Sequence, residues 1–298
     1  MDGQGRAQPV LGFIGIGRMG HPMSSRLVQA GYSLVGFDAA GTLERLPPGA
    51  EPADSIEEVA AAADCALLSL PDGNASISVC SALASAKDRR VMTVIDLSTI
   101  GMAAARECAT VLDQVGVAYV DAPVSGGVAG AREGSLSIVG ASAELFERVL
   151  PLLQVIGNNS FRLGDMPGQG QAMKLLNNYV AATTLAATSE AIVFGERVGL
   201  ELGQVLEVLN VSSGRSWSSS IVLPRHVLPR SYDFGFAAAL MVKDVRLFLQ
   251  SAAEAGTSRD VAEAVVALYT QFTADQPGAD FSAIHRYLES RSKASAPA

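Results

Sequence analysis

Several short runs in this chain have the residue types and spacing that chemistry requires. Gly15-Ile16-Gly17-Arg18-Met19-Gly20 matches the pattern G-x-G-x-x-G. Where such a run follows a strand and opens a helix, each glycine serves a distinct purpose. The first makes the tight turn, the second lets backbone approach a pyrophosphate, and the third lets the helix pack closely on the strand. The helix N-terminus then turns its N–H groups and positive dipole end toward the phosphates. Asp38 lies 18 residues after Gly20, at the end of a second apolar run. A carboxylate there accepts the ribose 2′-hydroxyl of NAD, whereas a 2′-phosphate calls for an Arg. Residues 39–42 are Ala-Ala-Gly-Thr and the nearest cation is Arg45, so the pattern predicts NAD over NADP. The plainer reading is a glycine-rich turn without ligand, with Asp38 a solvated strand end or Arg45 swung in beside it.

Three further runs carry candidate groups. Ser125-Gly126-Gly127 follows a fifth apolar run and leads through Gly130-Ala131 to Gly134. Successive amides of this kind can converge on a carboxylate, or the glycines can serve a turn for conformational reasons alone. Lys174 and Asn178, in GQGQAMKLLNN, are four apart and share a helix face. Lys174 stands among Met173, Leu175 and Leu176. Either its ammonium snorkels to water, or partial burial beside a positive nicotinamide ring lowers its pKa toward the working range of a general acid/base. Lys243-Asp244 sits in a later helical run: Lys243 is a candidate to reach a cofactor, Asp244 to pair with it or with Arg246, and surface charge is the plain alternative.

The elements that must position these groups follow from periodicity. Val10–Ile14, Leu34–Phe37, Cys65–Leu70, Val91–Leu97, Val117–Ala122 and Leu136–Val139 are short apolar runs with helical patterns between them, such as Pro22–Ala30 and Ile56–Ala63, the latter capped by Asp54 or Ser55. That alternation predicts a parallel α/β sheet, doubly wound and of Rossmann type. From Gly170 to Val198 there is no Pro, and Met173, Leu176, Val180, Thr184 and Ala187 recur at helical spacing. Helical patterns follow at 202–209, 238–255 and 259–273. The expected organisation is a dinucleotide-binding domain at 1–164 and an all-α C-terminal domain at 165–298, with small polar residues fraying from 290 onward.

Composition narrows the function classes. The 298 residues carry a net charge of −8 and no Lys/Arg run, against a nucleic-acid partner. The three cysteines form no CxxC pair and the three histidines are far apart, which gives no metal site and no disulfide framework. No apolar stretch reaches the ~18 residues of a membrane helix and no signal-peptide core opens the chain, so a cytoplasmic protein without a membrane partner is expected.

Taken in order, GFIGIGRMGHPM, Leu70-Pro71, DLST at Asp96–Thr99, DAPVSGGVAGAREG, GQGQAMKLLNN and Lys243-Asp244 resemble the β-hydroxyacid dehydrogenases, the 3-hydroxyisobutyrate dehydrogenase family, from Val10 to about Leu288. The resemblance implies a hydride-transferring oxidoreductase acting on a small β-hydroxy acid such as 3-hydroxyisobutyrate, tartronate semialdehyde or glycerate, or threonate. It implies Lys174 as catalytic acid/base, and Ser125, Gly126, Gly127 and Asn178 as substrate-binding. The cofactor side would comprise Gly15, Gly17, Arg18, Met19, Gly20, Asp38, Leu70, Pro71, Thr99 and Lys243. It places Ser213–Trp217, Phe234 and Phe236 near the substrate cleft or in the helical packing. It also implies a homodimer or homotetramer formed through the helical domain. The chain departs from the family pattern at Arg26, where members commonly carry Asn. The alternatives are an imine reductase on the same fold, whose relatives typically replace the Lys, and a non-catalytic dinucleotide-binding scaffold.

Overall fold

The computed structural model describes residues 8–294, with the backbone alone at 135–138, 293 and 294. The chain divides into two compact units, one ending at Lys174 and the next beginning at Leu175. The first unit is an α/β sheet domain. Its strands are β1 (Leu11–Ile14), β2 (Leu34–Phe37), β3 (Glu51–Pro52), β4 (Cys65–Leu68), β5 (Thr93–Asp96), β6 (Ala118–Asp121), β7 (Val124–Ser125), β8 (Ser135–Gly140) and β9 (Gly157–Gly164). Its helices are α1 (Gly20–Gln29), α2 (Ile56–Ala62), α3 (Gly73–Ser85), α4 (Met102–Asp113), α5 (Gly127–Glu133) and α6 (Ala143–Ile156), followed by the start of α7 (Gln169–Arg197).

The sheet order is β3-β2-β1-β4-β5-β6-β8-β7, with β9 paired to β8. All pairings from β3 to β6 are parallel. Strand residues alternate between two cores, as the pleat requires. Leu11, Phe13, Leu67, Ile95 and Val120 face a core closed by Met23 and Leu27 of α1 and Leu152 and Leu153 of α6. Ile14, Ala66, Leu68, Val94 and Tyr119 face the other, closed by Val59 of α2, Leu83 of α3 and Leu112 of α4. Burial on both faces explains why the strands read as continuous apolar runs. The sheet is therefore doubly wound, and its order reverses between β1 and β4. Loops outside the carboxyl ends of the strands at such a point are where open α/β folds bind ligands.

The structure also departs from the sequence pattern. The runs expected to extend through Leu70, Leu97 and Ala122 leave the ladder at Leu68, Asp96 and Asp121, and their last residues form the loops of the carboxyl edge. Strands β3, β7 and β9 have no counterpart among the apolar runs. β6 and β7 act as one interrupted strand, broken at Ala122-Pro123, and both pair antiparallel with β8. β9, of sequence GNNSFRLG, is defined by its parallel pairing to β8 rather than by an apolar pattern.

The second unit contains most of α7, then α8 (Leu202–Asn210), α9 (Ala238–Glu254), α10 (Asp260–Asp275) and α11 (Ile284–Ala294). A π-helical segment spans Ser218–Val227, with Pro224 inside it. Leu185 and Ile192 of α7 pack with Leu223, Met241, Tyr269, Phe272 and Ile284 in its core. α11 continues to Ala294, so the fraying expected from residue 290 does not begin there; residues 295–298 lie outside the described ones. Among the described residues no helix is long and apolar enough to cross a membrane.

Candidate active site

The glycine loop joins β1 to α1. Gly15 has φ +91°, and a Cβ there would lie 2.4 Å from the Ser69 carbonyl oxygen. A Cβ on Gly20 would lie 2.0 Å from the Gly15 oxygen, so the helix can sit this close only without one. At Gly17 a Cβ would meet nothing within 4 Å. The turn is therefore tight where protein packs and open at the middle glycine, as backbone that receives a pyrophosphate must be. Met19 caps α1 without a side-chain hydrogen bond, and no acidic residue occupies the first turn. The helix thus presents its N–H groups to an anion rather than to its own carboxylate.

Asp38 follows β2 directly and is tied to this loop. Its Oδ2 accepts the Ile16 N–H at 2.7 Å, and its Oδ1 accepts the Ala40 N–H at 2.8 Å. Arg45 Nε stands 3.7 Å from Oδ1. Asp38 is thus more than a solvated strand end, and a carboxylate has acceptor sites beyond the two used.

The loops after β4 and β5 meet beside the glycine turn. Leu70 reaches within 3.1 Å of the position a Gly15 Cβ would take, and its N–H donates to Ser98 Oγ at 2.8 Å. Pro71 follows directly, and Thr99 follows Ser98. Buried Asp96 accepts the Ser98 N–H at 2.9 Å. Burial pushes the Asp96 carboxyl up, opposed by bonds from Ser98, Ser76 and Tyr119.

Ser125, Gly126 and Gly127 lie where β7 passes into α5. Gly126 and Gly127 have φ +120° and +63°, which favours glycine at both positions. Facing them is the second turn of α7. Lys174 is 8% exposed and its Nζ donates to Ser125 Oγ at 3.2 Å. The ammonium does not snorkel to bulk water; it lies on the Ser-Gly-Gly loop.

Asp121, at the end of β6, is a site residue that the sequence pattern did not single out. Its Oδ2 accepts the Gln171 N–H at 2.9 Å, and Gly168 N–H also bonds it, so it caps the helix that carries Lys174. Its Oδ1 is buried without a hydrogen-bond partner and lies 2.3 Å from where a Gly140 Cβ would stand. Burial drives the carboxyl up to about 7, with Asp96 beside it adding to the shift. The motif D-A-P-V-S-G-G contained the signal, but only sheet register puts Asp121 opposite Asp96.

Arg26, the departure from the family pattern, has a packing role. Its Nε donates to the Val155 carbonyl at 2.8 Å and its Nη1 to the Arg132 carbonyl at 3.0 Å. One guanidinium on α1 thereby meets carbonyls in the last turns of α5 and α6, where cations are favoured.

In the second unit, Asn178 follows Lys174 by one turn of α7 and is buried. Its Nδ2 donates to Asp244 Oδ2 at 2.6 Å, and Lys243 Nζ stands 3.3 Å from Asp244 Oδ1. Of the two partners considered for Asp244, Lys243 is the one used. Arg246 instead donates to Thr270 Oγ1 at 3.1 Å, because it lies on a different side of α9. Trp217 packs edge-on against Phe234 and stacks with Phe281, and Phe236 packs edge-on against the same Phe281.

Fold and site together define a dinucleotide-binding α/β domain joined to a helical domain. Residues 10–164 match the family model for the NAD binding domain of 6-phosphogluconate dehydrogenase. Residues 168–288 match the model for the NAD-binding domain of NADP-dependent 3-hydroxyisobutyrate dehydrogenase. The chain is 35% identical to 2-(hydroxymethyl)glutarate dehydrogenase of Eubacterium barkeri, over 88% of this chain and 87% of that one. It is 35% identical to 3-hydroxyisobutyrate dehydrogenase of Pseudomonas aeruginosa, over 93% and 97%. The solved structure of Mycobacterium tuberculosis 3-hydroxyisobutyrate dehydrogenase with L-serine superposes with TM-score 0.87 at 31% identity, covering 95% of this chain and 99% of that one. An imine reductase from Myxococcus stipitatus superposes with TM-score 0.63 at 21% identity, a likeness of fold alone. The chain belongs to the β-hydroxyacid dehydrogenase family.

Proposed function

We propose that this protein oxidises a small β-hydroxy acid, or reduces the corresponding semialdehyde, with Lys174 as general acid/base. The observation that carries the reading is the buried Lys174 ammonium on Ser125, at the carboxyl edge that also holds the glycine loop. The relatives with names of this kind cover nearly the whole chain. The glycine loop, Asp38 and the turns at Leu70-Pro71 and Thr99 would hold the dinucleotide, with Lys243 assigned to the same cofactor. A bound nicotinamide supplies the hydride acceptor. The Ser125-Gly126-Gly127 amides receive the substrate carboxylate, fixing its position and so the orientation of the carbinol carbon. Neutral Lys174 takes the hydroxyl proton as the carbinol C–H bond breaks, and in the reverse direction its ammonium returns that proton to the carbonyl oxygen. Asn178, held by Asp244, orients the hydroxyl.

NAD is the preferred cofactor in this reading, because the Asp38 carboxylate stands where a 2′-phosphate would add like charge. Arg45 is close enough to offset part of that repulsion. The domain boundary is assigned at 164/165, before the helix that carries Lys174. The protein is assigned to the cytoplasm.

A homodimer or homotetramer is part of this reading, and the exposed face of α7 supports it. Met173, Leu176, Val180 and Phe194 are exposed on one stripe of this helix, with Val198 just past its end, continued by Thr184, Ala187 and Ala191 at spacings of three and four. A helix of 29 residues is about 43 Å long at 1.5 Å per residue, and an apolar seam of that length calls for a second surface.

The test is nicotinamide absorbance with 3-hydroxyisobutyrate, 2-(hydroxymethyl)glutarate, glycerate and threonate, each with NAD and NADP. Lys174→Ala is expected to lower kcat by about 10²- to 10⁴-fold. Lys174→Arg should fail as well, since a guanidinium keeps its proton. Turnover near wild type in Lys174→Ala would reject the assignment.

A further inference from the structure

The side chain of Gln171 is fully buried, one turn before Lys174, and nothing in the proposed chemistry uses it. Its Oε1 accepts the N–H groups of Ile100 at 2.9 Å and Gly101 at 3.2 Å. Its Nε2 donates to the Ser98 carbonyl at 3.0 Å. The amide therefore straddles Thr99, bonded to the residue before it and the residues after it. Through Ser98 the same brace reaches the Leu70 N–H. Its backbone N–H is held by Asp121. These partners lie 50 to 73 residues away in sequence, at and just after the carboxyl ends of β5 and β6. An amide is the uncharged side chain that offers a carbonyl acceptor and an N–H donor together. An apolar side chain of the same size would fill the space and leave buried backbone groups without partners.

We propose that Gln171 is a positioning residue that locks the Ser98–Gly101 loop, and with it the cofactor-side residues Thr99 and Leu70, to the helix turn that presents Lys174. The inference rests on the reading of these loops as the dinucleotide site. Gln171 touches the loop backbone, and its effect on the reaction is exerted through Thr99, Leu70 and Lys174.

Two variants test it, Gln171→Met and Gln171→Glu. The primary readout is the NADH dissociation constant by fluorescence titration with no hydroxy acid present; kcat and KM are measured separately. Gln171→Met is expected to weaken NADH by about tenfold or more, the scale for buried groups losing their partners, and to lower kcat further. Gln171→Glu keeps the acceptor for Ile100 and Gly101 but donates to Ser98 only when protonated. Its carboxyl would stand near Asp121 and Asp96 at the strand ends, with Lys174 on its own helix. Its NADH affinity relative to wild type should therefore fall as pH rises, while the ratio for Gln171→Met stays level. A residue that merely fills space would give no such pH-dependent ratio.

NADH affinity of Gln171→Met within twofold of wild type, or a Gln171→Glu ratio independent of pH, would overturn the proposal. If the Met variant fails to fold, the Glu ratio decides alone. The titration needs no turnover, so an active Lys174→Ala would sink the acid/base assignment and leave this result standing. A wild-type protein that binds neither NADH nor NADPH would overturn the dinucleotide reading and this proposal with it.

Discussion

Asp121 gives the sharpest physical prediction. Its carboxyl is raised from 3.8 to about 7 by burial, so the folded protein holds its proton over a range in which the unfolded chain has released it. A group shifted upward in this sense contributes stability that is fully present below its unfolded value and is lost as pH rises through its folded value. Stability should therefore fall between about pH 4 and pH 7 and level off above. A shift of about three units, at 1.36 kcal/mol each, sets the scale at about 4 kcal/mol. Asp121→Asn removes the titration and keeps an oxygen for the Gln171 and Gly168 N–H groups. The new amide N–H₂ would stand where Oδ1 has no partner, at a cost of about 1–3 kcal/mol that does not vary with pH. The difference between pH 5 and pH 8 is then the clean quantity. Urea unfolding at fixed ionic strength across that range should show the wild-type slope strongly reduced in Asp121→Asn. A residual slope from buried Asp96 is expected, since that carboxyl is raised too. Parallel wild-type and Asp121→Asn curves would refute the view that Asp121 is held protonated by its surroundings.

Asp38→Asn should remove the carboxylate that faces a 2′-phosphate and shift the ratio of kcat/KM for NAD over NADP toward NADP by about tenfold or more, at 1.4 kcal/mol per decade. An unchanged ratio in steady-state assays with both cofactors would show that Asp38 does not set the preference. Placing charge on the α7 stripe, as in Leu176→Glu with Phe194→Glu, should lower the mass found by sedimentation while far-ultraviolet circular dichroism stays constant. An oligomer unchanged in mass would move the interface elsewhere.

The parts of this molecule legible in the sequence are those governed by local rules. The glycine turn, the long helix and the strand cores each follow from residue type and period over a few positions, and Ser55 caps α2 through the Glu58 N–H as its position suggested. The approach of Lys174 to Ser125 was reachable only through the ordered motifs, because Lys174 among apolar neighbours fits a snorkelling side chain equally well. What the pattern could not supply was pairing between distant segments. β9 carries polar residues at half of its positions and is a strand because β8 is beside it. Gln171 reads as an ordinary helix residue, and its partners at 98, 100 and 101 are brought to it by sheet order.

The buried polar groups at the strand ends share one physical logic. Asp96, Asp121 and Gln171 are fully buried polar side chains at positions where apolar residues usually stand. Asp121 leaves one oxygen without a partner and stands near a second buried carboxyl. Such an arrangement persists where rigidity of the loops matters more than stability. Each group is bonded to backbone at a strand end or a helix start, so together they fix the relative positions of the turns at Leu70, at Thr99 and at the first turn of α7. If stability alone had set these residues, replacing Asp121 would raise the unfolding free energy at neutral pH with no loss of turnover. The present reading requires that any gain in stability from Asp121→Leu, which removes the acceptor for the Gln171 and Gly168 N–H groups, be accompanied by a lower kcat, because that carboxyl anchors the turn that presents Lys174.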